Sequence, residues 1–361
     1  MTPRPRRFRS TLKTLHLWLG MSLGLLLALV TLSGSVLLWE QPLFAAGHPE
    51  LVARPLPDLA TQARSLETVL SSKEAKGLRG LSVPDAELPV WEAQARGGDR
   101  FYFDATTGEH LLTRHKSGDG LLMLLDWHTH LLTGEVGETV LGVVAITGLF
   151  MLFSGVWLYW PGRQRALKHL KPHTNPPVLR WASFHRAVGV IALPLLILMI
   201  GTGTTMAYRG AVRNGLTAAF GEKAPAKPPK TAPVDGPVDW AAVLAAAQAA
   251  VPDAELTRIT LPGKDTGTIA LRVRHAGEWN LAGRSSVFVD GHDAKVIGGS
   301  DATKLGPGGR LSDALFPIHS AAVGGIAWRV VACFTGVLPS FLLVTGFLFW
   351  RARRRRPAAR G

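Results

Sequence analysis

The chain has 361 residues, with 40 Lys and Arg against 26 Asp and Glu, a formal net charge of +14. Its 18% charged fraction is low against the roughly 25% of a soluble chain, and the shortfall is concentrated in four uncharged stretches, 17–39, 139–160, 188–208 and 330–350. Each is long enough to span a bilayer as a helix of ~20 apolar residues, which excludes a soluble two-domain enzyme, and the single cysteine, Cys333, excludes an intrachain disulfide, an iron–sulfur cluster and a thiolate metal site.

In chain order, a basic N-terminus (1–14, with Arg4, Arg6, Arg7, Arg9 and Lys13) precedes a first span at 15–40. Its apolar run is too long for the core of a cleaved signal peptide. The segment 45–125 then reads as a helix near 58–71 and strands near 78–83, 89–95 and 100–113, with Gly97, Gly98 and Thr107-Gly108 as turn signals. A second span (126–161), a basic loop (162–182, with Arg163, Arg165, Lys168, Lys171 and Arg180) and a third span (183–208) follow. The segment 210–318 reads as a capped, Ala-rich helix at 239–250 and strands near 255–261, 268–275 and 285–297. A fourth span (319–350) leads to the basic tail 351–361.

By the positive-inside rule the three basic blocks are cytoplasmic. Arg209 and Arg213, on the other side, are outweighed. Trp39, Trp160, Tyr208 and Trp350 close the spans where amphipathic rings favour the interface. Every basic block flanks a span and none forms a domain of its own, so the charge implies a bilayer partner and no nucleic acid.

The chain repeats itself. His16, Gly20 and Ser33-Gly34 recur with the same spacing as His185, Gly189 and Thr202-Gly203; His128, Gly134 and Ser154-Gly155 recur as His319, Gly325 and Thr345-Gly346. The outer segments repeat as well, with Phe103-Asp104 matching Val289-Asp290. The fold class is therefore a four-helix membrane bundle built as an internal two-fold repeat, with two small α+β modules on the outer side. The small residues at matching places let helices approach closely.

The repeat puts one histidine at the head of every span. His16 and His185 lie near the cytoplasmic face, His128 and His319 near the outer face. Ionisable groups at membrane depth raise a functional hypothesis, and two imidazoles facing each other at one level are the ligand set of a six-coordinate b-type haem, with no Cys-x-x-Cys-His for covalent attachment. Two pairs imply two haems. His130 competes with His128 for the outer position, and the repeat register selects His128. Zinc lacks a His/Glu cluster of the required density, and a proton relay lacks intramembrane Asp or Glu. One tension follows: in a continuous helix His128 stands roughly 48 Å from Trp160, so either that helix extends past the membrane or His128 and His319 lie in the interfacial layer.

Leu15-His16-x3-Gly20, Trp127-His128-Thr129-His130-Leu131-Leu132-x-Gly134-x2-Gly137, Phe184-His185-Arg186-x2-Gly189, Ile318-His319-Ser320 and Thr345-Gly346-x3-Trp350 resemble the PepSY-associated transmembrane helix proteins, which include iron-regulated membrane proteins and ferric-siderophore reductases. The resemblance covers nearly the whole chain. It implies a bacterial inner-membrane, multi-pass protein with PepSY-like periplasmic modules and cytoplasmic termini. It also implies haem b held by His16, His185, His128 and His319, and reduction of a ferric siderophore or other ferric chelate on the periplasmic side. No catalytic acid or base is needed for outer-sphere electron transfer. Some relatives fuse a flavin reductase domain; here nothing follows Gly361, so the expected electron donor is a separate cytoplasmic or membrane component. Arg186 stands either as a haem-propionate partner or as a topology signal. Two other readings stay open, a membrane-anchored PepSY binding or regulatory protein without redox activity and a non-redox partner in metal uptake.

Overall fold

The computed structural model of the protein describes residues 6–160, 170–222 and 228–355. Of the basic residues that orient the chain, Arg4, Arg163, Arg165, Lys168 and Arg356 lie outside the described residues. The helices are α1 (Arg6–Met21), α2 (Leu23–Leu37), α3 (Glu40–Gly47), α4 (Pro49–Val52), α5 (Leu59–Ser71), α6 (Gly120–His130), α7 (Glu135–Tyr159), α8 (Pro177–Ile191), α9 (Leu193–Ala207), α10 (Arg209–Ala219), α11 (Trp240–Ala250), α12 (Pro307–His319) and α13 (Gly325–Arg354). The strands are β1 (Leu78–Ser82), β2 (Val90–Ala95), β3 (Arg100–Asp104), β4 (His110–Arg114), β5 (Ala254–Thr260), β6 (Thr268–His275), β7 (Ser285–Asp290) and β8 (Val296–Ser300). They divide into a helical unit and a sheet unit.

The helical unit contains α1, α2, α7, α8, α9, α13 and the last residues of α6 and α12. Two of its helices, α7 and α13, are each long and apolar enough to cross a membrane, and two bent pairs do so if each pair counts as one span. The first bend, 48° between α1 and α2, falls at Ser22; the second, 66° between α8 and α9, falls at Ala192, with Pro194 two residues on. A proline removes a backbone donor and breaks the i→i−4 ladder, which accounts for the second bend. Ser22 turns its hydroxyl onto the Trp18 carbonyl at 2.8 Å, the back-bonding that bends helices. The segments read as the first and third spans are thus bent helix pairs rather than the continuous helices that hydropathy suggests.

Close packing uses the small residues. A Cβ on Gly336 of α13 would meet the Ser35 hydroxyl and the Thr31 carbonyl of α2 at 2.1 and 2.8 Å, and Ser35 Oγ donates to the Cys333 carbonyl at 2.9 Å. A Cβ on Gly148 of α7 would stand 3.0 and 3.1 Å from the side chains of Leu27 and Ile200. Phe153, Trp157, Ile191 and Phe334 point outward and exposed, an apolar exterior suited to lipid.

The sheet unit holds one antiparallel sheet in the order β4-β3-β2-β1-β5-β6-β7-β8. The two outer segments, read from sequence as separate modules of three strands each, contribute four strands apiece and meet at the β1–β5 pair (Gly80 with Thr260, Leu81 with Ile259, Ser82 with Arg258). Joining them turns two exposed edges into a ladder. Gly80 is required there, since a Cβ would stand 2.4 Å from the Ile259 carbonyl. The extra strand in each half comes from a turn: Asp104 accepts from the amides of Thr106 and Thr107, and Asp290 from that of His292, so each third predicted strand splits in two.

Matched helices α5 and α11 lie on one face of this sheet. Each starts on an aspartate cap, Asp58 accepting from Thr61 N and Asp239 from Ala242 N, an arrangement worth ~1 kcal/mol per helix. Leu66, Val69, Leu81, Trp91, Phe103, Leu244, Ile259 and Leu271 form a single core across both halves. The opposite face begins, over β2–β4, with a second apolar cluster of Phe44, Leu51, Val90 and Tyr102. Buried Arg114 is held there by Asp119 through two 2.8 Å bonds and by the Tyr102 hydroxyl at 3.2 Å. Its hydrogen bond is the largest cause that holds the Asp119 carboxyl down at about 2, and burial pushes the Tyr102 phenol up to about 12.

Candidate functional site

The four registered histidines come together as two pairs within the helical unit. His16 on α1 and His185 on α8 have ring centroids 6.4 Å apart, with planes nearly perpendicular at 85°. His128 on α6 and His319 on α12 have centroids 6.4 Å apart, with planes inclined by 29°. Each pair takes one histidine from each copy of the repeat.

Every one of these rings is fixed through Nδ1 by the Ser/Thr-Gly pair of another helix. His16 Nδ1 lies 2.7 Å from Ser154 Oγ on α7, and His185 Nδ1 lies 3.2 Å from Thr345 Oγ1 and 2.9 Å from the Leu342 carbonyl on α13. His128 Nδ1 lies 3.1 Å from Ser33 Oγ and 2.9 Å from the Val30 carbonyl on α2; His319 Nδ1 lies 3.0 Å from Thr202 Oγ1 on α9. All four hydroxyls donate their own proton to a carbonyl one turn back in their helices, Met151, Leu342, Val30 and Leu198 among them. A carbonyl can only accept, so Nδ1 of His128, against the Val30 carbonyl, and of His185, against the Leu342 carbonyl, carries the hydrogen. Nε2 of these two rings then keeps a free lone pair, the tautomer of a metal-ligating histidine oriented by its other nitrogen, and the hydroxyls of Ser154 and Thr202 are placed to accept in the same way from His16 and His319.

The glycine of each Ser/Thr-Gly pair makes room for the ring. A Cβ at Gly34 would sit 2.8 Å from His128 Cε1, at Gly203 3.1 Å from His319 Cε1, and at Gly155 and Gly346 3.4 Å from the Cε1 atoms of His16 and His185. Sequence spacing identifies these small residues but assigns them only to helix packing. Their hydrogen bonds to histidines of a different helix depend on three-dimensional pairing that spacing does not encode.

The helix carrying His128 is not the long span. α6 ends at His130, Leu131 and Leu132 take left-handed φ values of 49° and 61°, and α7 begins only at Glu135. Gly137 of α7 abuts the end of α6, where a Cβ would lie 1.6 Å from the His130 carbonyl. In the other copy Ala321 is left-handed and Trp328 Nε1 donates to the Ile318 carbonyl at 3.0 Å. The continuous helix assumed from sequence, with its roughly 48 Å reach, is absent. His128 instead lies beside Val30–Gly34 in the last two turns of α2.

The residues fit a b-type haem. Each site offers two nitrogens, and among the described residues no group of three or more His, Cys, Asp or Glu side chains gathers around a common point. Two protein nitrogens per site suit a metal that brings its other ligands with it, as a haem does. Two imidazoles bound through Nε2 on opposite sides of one metal, at ~2 Å each, have centroids about 6.3 Å apart, which both pairs match.

His130 stands apart. Its side chain is 42% exposed and lies near Asp126 at 3.5 Å, with Nδ1 2.7 Å from Thr129 Oγ1. Arg186 donates Nε to the Ala182 carbonyl at 3.2 Å. His48, His115 and His292 sit beside Glu50, Asp99 and Asp290, and His110 bonds Thr113; these are surface pairs of the sheet unit.

A family model described as the PepSY-associated TM region matches residues 13–353. No curated protein matches the chain.

Proposed function

The chain belongs to the PepSY-associated TM family, and from that premise we propose that it is a dihaem b-type electron-transfer protein of the bacterial inner membrane that reduces ferric chelates in the periplasm. In this reading each bent pair counts as one span, so four spans form a parallel two-copy repeat. The basic N-terminus, the 162–182 loop and the C-terminal tail are cytoplasmic, and the sheet unit is periplasmic. His16 and His185 hold the inner haem, His128 and His319 the outer one.

The observation that carries the reading is the twin 6.4 Å spacing of histidines whose Nδ1 atoms are already engaged by hydroxyl or carbonyl groups. When bound, each haem supplies a reversible one-electron couple. The protein's part is to hold ring orientation through Ser154, Thr345, Ser33 and Thr202, to exclude water from the bundle, and to keep the two sites close. The stretch of α13 from Gly336, against α2, to Gly346, against His185, is about 15 Å long. That separation suits electron passage from a cytoplasmic or membrane donor toward the outer side. Ferric siderophore or another ferric chelate is the acceptor, and no proton transfer by a side chain is required.

Purified protein tests this. The expected result is a reducible b-type absorption spectrum and reoxidation of the reduced form by a ferric chelate. Colourless protein after expression with ample haem would overturn the reading and leave an anchored sheet domain with a binding role.

A further inference from the structure

The two halves of the sheet unit share an architecture but not the chemistry of their second face. In the first half that face is apolar around Tyr102 and Phe44, and its arginines are paired, Arg114 with Asp119 and Arg100 with Glu40 and Glu92. In the second half β5 and β6 carry Arg258 and Arg272, directly opposite each other in the strand register. Like charges in such a pair repel. Both are half-buried, and burial first, then neighbouring arginines, lowers both guanidinium pKa values. Glu92, the nearest acid to Arg258, is engaged with Arg100 at 3.3 Å, and Arg258 itself reaches only the neutral amide of Gln94.

Arg213 of α10 adds a buried Nε that has no hydrogen-bond partner, and it lies, with Arg284 and Arg272, within electrostatic range of Asp313 on α12, where Glu278 is the other acid. A fold that spends desolvation energy on two opposed arginines and an orphaned guanidinium donor is built for an anion, because bidentate oxyanions are what guanidinium forks recognise.

We infer that the arginine-lined face of β5 and β6 binds the carboxylate groups of a polycarboxylate ferric chelate. This rests on the ferric-chelate reading above and narrows it from any chelate to anionic ones. The helix carrying Asp313, α12, is also the helix that ends at His319.

The test is equilibrium binding of gallium(III) citrate, an unreducible stand-in for ferric citrate, to the full-length protein in phosphatidylcholine nanodiscs. Binding needs no electron transfer, so it is readable even if the protein carries no haem. Wild type is expected to bind, with affinity falling as salt rises. Arg258→Gln/Arg272→Gln is expected to weaken binding roughly tenfold or more with haem content unchanged, while Arg64→Gln on α5 has no effect. Should the double variant not fold, Arg272→Gln alone and the salt series on wild type carry the test. A cationic gallium trihydroxamate is expected not to bind. Equal binding of the two chelates, salt-independent binding, or an unchanged affinity in the arginine variant would overturn the proposal. So would loss of haem with intact citrate binding, which would assign these arginines to haem carboxylates.

Discussion

Replacing Gly34 by alanine probes the site with a single methyl group. The new Cβ would stand 2.8 Å from His128 Cε1, against a carbon–carbon optimum of about 3.5–4.0 Å, so the ring has to retreat by about 0.7 Å. Metal–nitrogen distances tolerate only ~0.2 Å. Overpacking of this kind costs ~1–3 kcal/mol, which weakens the outer haem's binding roughly 5- to 150-fold. Gly155→Ala, whose Cβ would rest at 3.4 Å from His16 Cε1, needs only a few tenths of an ångström and is expected to keep the inner haem. Alanine is the better helix former by ~1 kcal/mol, so the helix itself does not suffer. The assay is haem per chain with the reduced-minus-oxidised spectrum of each variant. Two retained haems in Gly34→Ala, or a lost haem in Gly155→Ala with Gly34→Ala intact, would refute the reasoning.

Other outcomes follow from the same geometry. His128→Ala should lose one haem and His130→Ala none, by the same stoichiometry. Ser154→Ala removes the Nδ1 acceptor of His16, whereas Thr345→Ala leaves His185 its Leu342 carbonyl; redox titration should show the larger shift in midpoint potential for Ser154→Ala. Asp119→Ala strands Arg114, whose side chain is 3% exposed, and should destabilise the sheet unit by about 3 kcal/mol in chemical denaturation. The Asp119 carboxyl is held at about 2, below its unfolded value of ~3.9. Its contribution is therefore complete above pH ~4 and lost as pH falls toward 2; Asp119→Asn should flatten the acid limb of the unfolding profile there.

Much of the site was legible because a repeat constrains positions that single residues do not. His16, His128, His185 and His319 stand out only through their matched distances to glycines, and the structure brings the same four into two pairs. The bends were not legible from hydropathy, which reads length and not direction, although Pro194 signalled one of them. The break after His130 contains Gly134, at φ 64°, which the repeat register marks only as a spacing position, while Leu131 and Leu132 adopt left-handed backbone without being glycine, so most of the break reads as uninterrupted helix. Strands β1–β3 and β5–β7 fall in the segments read as strands, but β1 and β5 are separated by two predicted spans, and nothing local to Gly80 or Ile259 reports their pairing. Ser33, Ser154, Thr202 and Thr345 were visible as small residues and invisible as hydrogen-bond acceptors.

The most direct measurement of the central claim is low-temperature electron paramagnetic resonance of the oxidised protein with haem quantified per chain. The imidazole planes differ, 85° at the inner pair and 29° at the outer, and bis-histidine ferric haem reports that angle. Two low-spin signals of equal weight are expected, one highly anisotropic from the perpendicular pair and one rhombic from the near-parallel pair. A single low-spin species, or high-spin iron alone, would contradict two haems held between these histidines.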